Sequence, residues 1–331
     1  MTRYQARLVL PGFAHCGGLR LARKRMRPFL MLALSAAIAV GWVQALSAQD
    51  LAPRSYVIAP LHSNAITLTW SFNDGSINTN GTPISGATGK YSVPIFNYYH
   101  SFSLFGRSAN ILATLPYGVG NFEGTAMGVE RQAYRSGLAD SVYRFSINLK
   151  GGPAMPMQKF MKWKQKILLG ASLKVVAPTG QYDPRKVLNW GTNRWSFKPE
   201  FGFSQRTGHL VVDAYAGVWF YTRNRAFFPG TSSQSQSPIG AFEGHLSYDF
   251  KPFLWASLDA NFWLGGKTSI NGVQNPLSAQ RNSRIGATVS LPIAKHQSLK
   301  ISYSNGTIVR FGGNYKTLSV AWQYSWLGRP K

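Results

Sequence analysis

Acidic residues are scarce in this chain: 11 Asp and Glu stand against 36 Lys and Arg in 331 residues. Charge of either sign is sparse too, at 14% of residues, where an ordinary soluble domain carries about 25%. A soluble surface is therefore hard to build from this composition. Cysteine is nearly absent, with Cys16 the single one, which excludes disulfides and a thiolate metal site. Beyond residue 48 no apolar run reaches 18 residues, so nothing there spans a bilayer as a helix. The five histidines beyond that point, at 62, 100, 209, 245 and 296, are scattered without metal-ligand spacing, and no phosphate-cradling Gly-Lys-Ser/Thr loop occurs. No cofactor and no metal is expected. What remains is rich in aromatics (14%) and in glycine (33 residues), a composition too apolar for disorder and suited to an all-β protein with one apolar and one wet face.

Residues 1–48 hold seven basic residues and no acid, followed by an apolar run from Pro28 to Leu46 and a small-residue exit at 45–48. That order reads as a secretory signal peptide cleaved after Ser47 or Ala48; the alternative is an uncleaved anchor, since the run approaches the ~20 residues of a span. Met26 is a candidate true start. Residues 49–331 then form the folded domain, with 29 basic residues against 11 acidic ones, a formal +18. An exported chain with that balance suits anionic partners other than nucleic acid. Outer-membrane lipids, lipopolysaccharide and a small anionic solute are the expected partners, and the oligomeric state is open.

Period-two alternation runs through this domain. Leu318, Val320, Trp322, Tyr324 and Trp326 share one face of the last segment, against Thr317, Ser319, Ala321, Gln323 and Ser325. Twelve strands are expected near 64–73, 92–103, 107–117, 138–149, 166–177, 193–205, 209–221, 238–250, 253–264, 282–292, 297–304 and 315–326. Their length matches the 9–11 residues of a tilted transmembrane strand better than the 5–6 typical of soluble sheets. Long links (74–91, 118–137, 178–192, 222–237, 265–281, 305–314) alternate with short ones, the plan of an outer-membrane barrel. The fold class is therefore an all-β, antiparallel, up-and-down transmembrane β-barrel of about 12 strands. Residues 151–165 break the alternation with a basic amphipathic stretch, Met157, Phe160 and Met161 among Lys159, Lys162, Lys164 and Lys166, which reads as an interfacial helix or as a linker. Trp195, Trp255 and Trp326 near strand ends suit interfacial girdles.

The runs NLKGGP (148–153), LKVVAPTGQYDP (173–184), NRWSFKPE (193–200) and QSPIGAFEGHLSYD (236–249) resemble those of the proteobacterial outer-membrane proteins linked to meta-pathway degradation of phenol. The resemblance spans about residues 50–328 and implies an outer-membrane barrel acting as a transporter or porin-like channel, with aromatic solutes weakly indicated.

By strand parity the polar face carries Asp140, Arg144, Lys150, Lys174, Arg194, Lys198, Glu200, Asp213, Glu243, His245, Asp249, Asp259, Arg284 and Lys300. Such a set lines either a water-filled pore with an ion preference or a closed, salt-bridged interior. Gln181, Tyr182 and Asp183 in the third long loop read as a constriction, as a ligand-contacting loop or as a turn only. A barrel-borne hydrolase has His100, Ser101 and Asn97 as its local candidates, but they do not share a face. The expected function is diffusion of small solutes through the lumen, anionic or aromatic ones among them, without catalysis. The alternative is a closed barrel acting through its outer loops. No plug domain is expected, because only about 15 residues precede the first strand.

Overall fold

The computed structural model describes residues 51–328. Seventeen strands occur in chain order: β1 (Ser63–Asn78), β2 (Ile84–Leu104), β3 (Arg107–Ala126), β4 (Val129–Leu138), β5 (Ser141–Lys150), β6 (Ile167–Ala177), β7 (Ser196–Thr207), β8 (Leu210–Tyr221), β9 (Asn224–Phe227), β10 (Ser232–Gln236), β11 (Ile239–Lys251), β12 (Leu254–Gly265), β13 (Thr268–Ile270), β14 (Val273–Asn275), β15 (Gln280–Ala294), β16 (Gln297–Val309) and β17 (Gly312–Leu327). A single-turn helix α1 (Met157–Phe160) sits between β5 and β6. Among the described residues no helix is long and apolar enough to cross a membrane; the crossing is made by strands.

Thirteen of these strands form one antiparallel sheet, closed where β1 pairs with β17 from Ser63 opposite Leu327 to Asn78 opposite Gly312. The barrel nevertheless has 12 strands. β4 pairs with the upper part of β3 and β5 with its lower part, so the two occupy a single strand position interrupted at Ala139 and Asp140. Closure leaves no unpaired edge for lipid to face. The remaining strands, β9, β10, β13 and β14, make a small separate sheet in the links on the long-loop side.

The strands form because bulky β-formers recur at every second position, and the faces are inverted relative to a soluble protein. Leu68, Trp70 and Phe72 are each about half exposed on the outside, while Ser71 and Asn73 between them are buried. The same inversion holds around the ring: Ser172, Ser204, Ser247, Ser257 and Thr288 are buried, and Leu173, Leu246, Leu258 and Val289 are exposed. Only a lipid environment makes that arrangement favourable.

The start of β1, the end of β17 and the short links lie at one end of the barrel. Phe105 and Gly106 both have positive φ (50° and 72°), as a two-residue turn between twisted strands requires. Three links expected to be long are instead strand. β1 and β2 extend into 74–91, leaving only 79–83 between them; β3 and β4 fill 118–137; and β16 and β17 fill 305–314. Their polar, glycine-containing sequences lack the apolar alternation of a lipid-facing strand because these hairpins rise above the apolar belt. The basic stretch at 151–165 yields only the one turn of α1. Phe160 and Trp163 pack on Ile58, Met155 and Leu168 at the barrel end, while Met157 and Met161 are exposed. Trp255 is no girdle residue, since it faces inward with the Arg54 guanidinium 4.3 Å from its ring centre. Lys150 is exposed, because the register slips between Asn148 and Lys150.

Candidate functional site

The lumen contains a cavity of about 430 Å³, and its two ends are occupied in different ways. The floor is the segment preceding β1. Of the described residues before β1, 51–59 turn into the barrel and cross it. Tyr56 is 1% exposed, donates to Glu200 Oε1 at 3.0 Å and lies 2.9 Å from Ser172 Oγ. Its ring rests on bare backbone: a Cβ built at Gly202 or Gly170 would stand 2.1 Å or 2.3 Å from it. Arg54 pairs with Asp249 at 2.7 Å, and its N–H donates to Asp213 Oδ2 at 3.2 Å. Asp249 is also paired with Arg206. Ser55 N–H donates to the Tyr215 hydroxyl, and the Tyr215 ring meets Tyr56 edge-on at 5.0 Å. Leu51 and Ala52 then reach the cavity itself.

The roof is the link between β6 and β7. Trp190, 5% exposed, packs against Tyr91, Phe122 and Tyr315, with ring centres 5.8 Å and 6.2 Å from the first two. Its indole occupies the space a Cβ would need at Gly118, 2.2 Å away. Asp140, in the gap between β4 and β5, holds this link down by accepting from Gly180 N–H and Thr192 N–H at 2.9 Å and from Thr192 Oγ1 at 2.5 Å. Asp140 thus lies at the cavity wall and acts as a latch, and the break in the strand is what lets it point there. Arg194 stacks on Tyr221 at 4.4 Å and donates to Gln236 at 2.5 Å, tying the roof to β10.

Gln181, Tyr182 and Asp183 form no constriction. Gln181 is exposed and spends its backbone on Leu138 and Gly191. The Tyr182 hydroxyl bridges Asn224 and Ala226. Asp183 is held below the ordinary carboxylate range by hydrogen bonds from Arg185, with Lys186 3.6 Å away. The residues of this link that line the cavity are Trp190 and Thr192. Sequence parity cannot find Trp190, because a loop has none; a lone Trp inside Asn-Trp-Gly is the available signal.

Between floor and roof the charged residues line the arc of the barrel from β5 to β15. Lys198 lies 2.5 Å from Glu200 and 2.9 Å from Glu243. His245 Nδ1 is 2.8 Å from Asp259, whose other oxygen accepts from Thr288 at 2.8 Å. His245 Nε2 stands 3.7 Å from Glu243. Arg144 lies over the Tyr56 ring, 3.8 Å from Glu200. Arg284 donates to Ser304 and Thr317, and Lys174 lies beside the Trp219 ring. Lys300, opposite Ser290 on the inner face, is exposed and lies close enough to Asp259 of this cluster for a Coulombic attraction. Asp213 and Asp249 belong to the floor. Across the barrel from β11 and β12 the lining is apolar at Val93 and Ile95 of β2, while Leu112, Val142 and Val176 lie beside Arg144 and Lys174. The arrangement can therefore hold a small solute with one apolar and one polar side.

No catalytic constellation forms from the hydrolase candidates. His100 binds Asn64 at 2.8 Å, whereas Ser101, 1% exposed, donates to the Pro60 carbonyl on the other face of β2. Among the described residues no three His, Cys, Asp or Glu side chains are grouped to hold a metal ion.

Residues 72–314 match the family described by the MetA-pathway of phenol degradation. The chain belongs to that family. Its barrel is similar to an outer membrane channel from Pseudomonas putida F1, with a TM-score of 0.69 at 15% identity, over 84% of this chain and all of the other. Weaker likenesses include the β domain of the Bordetella autotransporter BrkA (TM-score 0.48, 13% identity, 80% and 100% of the two chains) and the NanC porin (0.43, 8%, 80% and 100%). No curated protein matches the sequence. The fold is that of an outer-membrane barrel.

Proposed function

We propose that this family member is an outer-membrane channel for small amphipathic organic anions, aromatic carboxylates included, that cross the lumen through the cavity by diffusion. The observation that carries the reading is the two-sided cavity. Its carboxylates are each engaged: Glu200 and Glu243 by Lys198, Asp259 by His245 and Thr288, and Asp140 by the roof link. The bases on the lining are Arg144, which also pairs with Glu200, Lys174 beside Trp219, and Arg284 on Ser304 and Thr317, and these cations with the hydroxyls between them would recognise a solute carboxylate. Ile95 across the lumen, with Leu112 and Val176 beside these bases, favours an apolar ring or chain. A cavity of ~430 Å³ is small for a ligand site, whose usual range is about 300–1,000 Å³. The family's link to phenol degradation supports aromatic solutes.

The test is a planar bilayer holding a benzoate gradient. The reversal potential should lie toward the benzoate equilibrium potential, and Arg284→Gln should move it toward zero. A cation-selective wild type would overturn the reading. One observation favours a second reading, a closed barrel acting through its outer links: both cavity ends are occupied, by Tyr56 and by Trp190. That reading predicts silent membranes for the wild type and for variants lacking either ring.

A further inference from the structure

The outer face of the barrel is neutral or apolar along the lipid belt, but its long-loop rim is divided by charge. Exposed acids at this rim, Asp74, Glu123 and Glu130, stand on β1, β3 and β4. The sector formed by β12, β15 and β16 carries bases without acids. The β15–β16 ladder ends with Asn282 opposite Val309. Arg281 and Arg310 are therefore the next cross-strand neighbours. Both are exposed, and Lys267 leaves the end of β12 beside them, exposed as well. Parity fixes their direction: Asn282 is buried in the lumen, 1% exposed, so the residues on either side of it point out. On the same face Leu264 stands directly across from Arg281, Ile308 opposite Ser283 comes next below, and Ile285 below that, all about half exposed or more. The arginines thus stand at the level where acyl chains give way to head groups.

Like charges directly across an antiparallel pair are destabilising, and neither guanidinium has an ion-pair partner among the described residues. The backbone beneath them is nonetheless fixed. Asn282 Oδ1 accepts from Arg310 N–H at 2.8 Å and its amide donates to the Phe311 carbonyl at 2.8 Å. Asn80 donates to the Arg310 carbonyl at 3.0 Å, and Phe311 is buried in the barrel mouth. A paired, rigidly mounted set of arginines above an apolar strip has the chemistry of a site for a doubly recognised head group: planar forks for phosphate oxygens and an apolar surface for the attached chains.

The structure assigns this sector, in our inference, as a binding site for a phosphorylated glycolipid of the outer leaflet, with the phosphate between Arg281 and Arg310 and acyl chains along Leu264, Ile285 and Ile308. The site is on the outside of the barrel and independent of the cavity reading. A phosphate bridging the two guanidiniums removes their mutual repulsion and sets the barrel's height in the bilayer.

The test titrates the detergent-solubilised full chain with bisphosphorylated lipid A, with the same lipid after phosphatase treatment, and with inorganic phosphate. Wild-type protein should bind bisphosphorylated lipid A at least ~10-fold more tightly than the dephosphorylated form. The Arg281→Gln/Arg310→Gln double variant should lose that difference while keeping its unboiled gel mobility and its conductance. Lys251→Gln, at the opposite end of the barrel, should retain it. Equal affinity for both lipids, an unaltered double variant or an equal loss in Lys251→Gln would each overturn the site. Inorganic phosphate competing at millimolar concentration or above supports phosphate as the recognised group; tighter binding of free phosphate than of the lipid would point to an ion site and contradict the glycolipid.

Discussion

The two ends of the cavity are blocked by an aromatic ring set over glycine, Tyr56 below and Trp190 above, but the rings are secured by opposite chemistry. Tyr56 belongs to a strap held by polar and charged groups: Arg54 on Asp249, the Arg54 N–H on Asp213, and the Tyr56 hydroxyl on Glu200. Trp190 belongs to a loop held by aromatic packing on Tyr91, Phe122 and Tyr315, with Asp140 as its latch. Leaving its seat, the strap exchanges protein hydrogen bonds for water in a wet lumen and gives up one aromatic pair, Tyr56 on Tyr215, against the larger ring and the several partners of Trp190. Leaving its seat, Trp190 exposes a large ring and breaks contacts worth about 0.5–1.5 kcal/mol per aromatic pair beyond burial. The lower end is therefore the movable one and the upper end the fixed one.

The largest expected effect comes from removing the movable end. Deleting residues 51–58 should raise single-channel conductance several-fold while leaving the barrel folded, since β1 begins at Ser63. Next, Gly202→Val places side-chain atoms where the Tyr56 ring lies; conductance should rise, by less than in the deletion, because Arg54 still holds the strap. Trp190→Ala should lower stability toward unfolding by about 3 kcal/mol and open the upper end, with a conductance gain insensitive to ionic strength. By contrast, Arg54→Gln should give a smaller gain that narrows at high salt, where the partly buried wild-type ion pair is weakened in part. Equal salt dependence for the Trp190 and Arg54 variants would erase the distinction between the two ends. Smallest of all, Asp183→Asn should change neither conductance nor thermal stability measurably, because its pairs with Arg185 and Lys186 are on the surface.

Much of the barrel is legible in the alternation of residues. Where a strand touches lipid on one side and water on the other, parity fixes both faces, and alternation alone assigns Lys198, Glu200, Glu243, His245 and Asp259 to the lumen. The same rule fails where that environment ends. The hairpins 74–91 and 118–137 rise out of the bilayer, so their strands lose the apolar signal and read as loops. Parity also misplaces residues beyond a register slip, as at Lys150. Neither closing ring is marked by a pattern, because Tyr56 and Trp190 lie in segments with no periodicity, and their seats are glycines whose meaning depends on what packs against them. Alternation puts Asp140 on the right wall, but its work as a latch depends on the break between β4 and β5.

The most direct measurement uses a cysteine at Ser302, whose side chain faces the cavity, in a region 51–328 that otherwise contains none. Small thiosulfonate reagents of opposite charge are applied to Ser302→Cys protein in liposomes. If solutes cross through this cavity with a preference for anions, the anionic reagent reacts faster and its attachment reduces conductance. If the folded protein is inert to both reagents, or labelled Ser302→Cys protein conducts as before, the lumen is not the path.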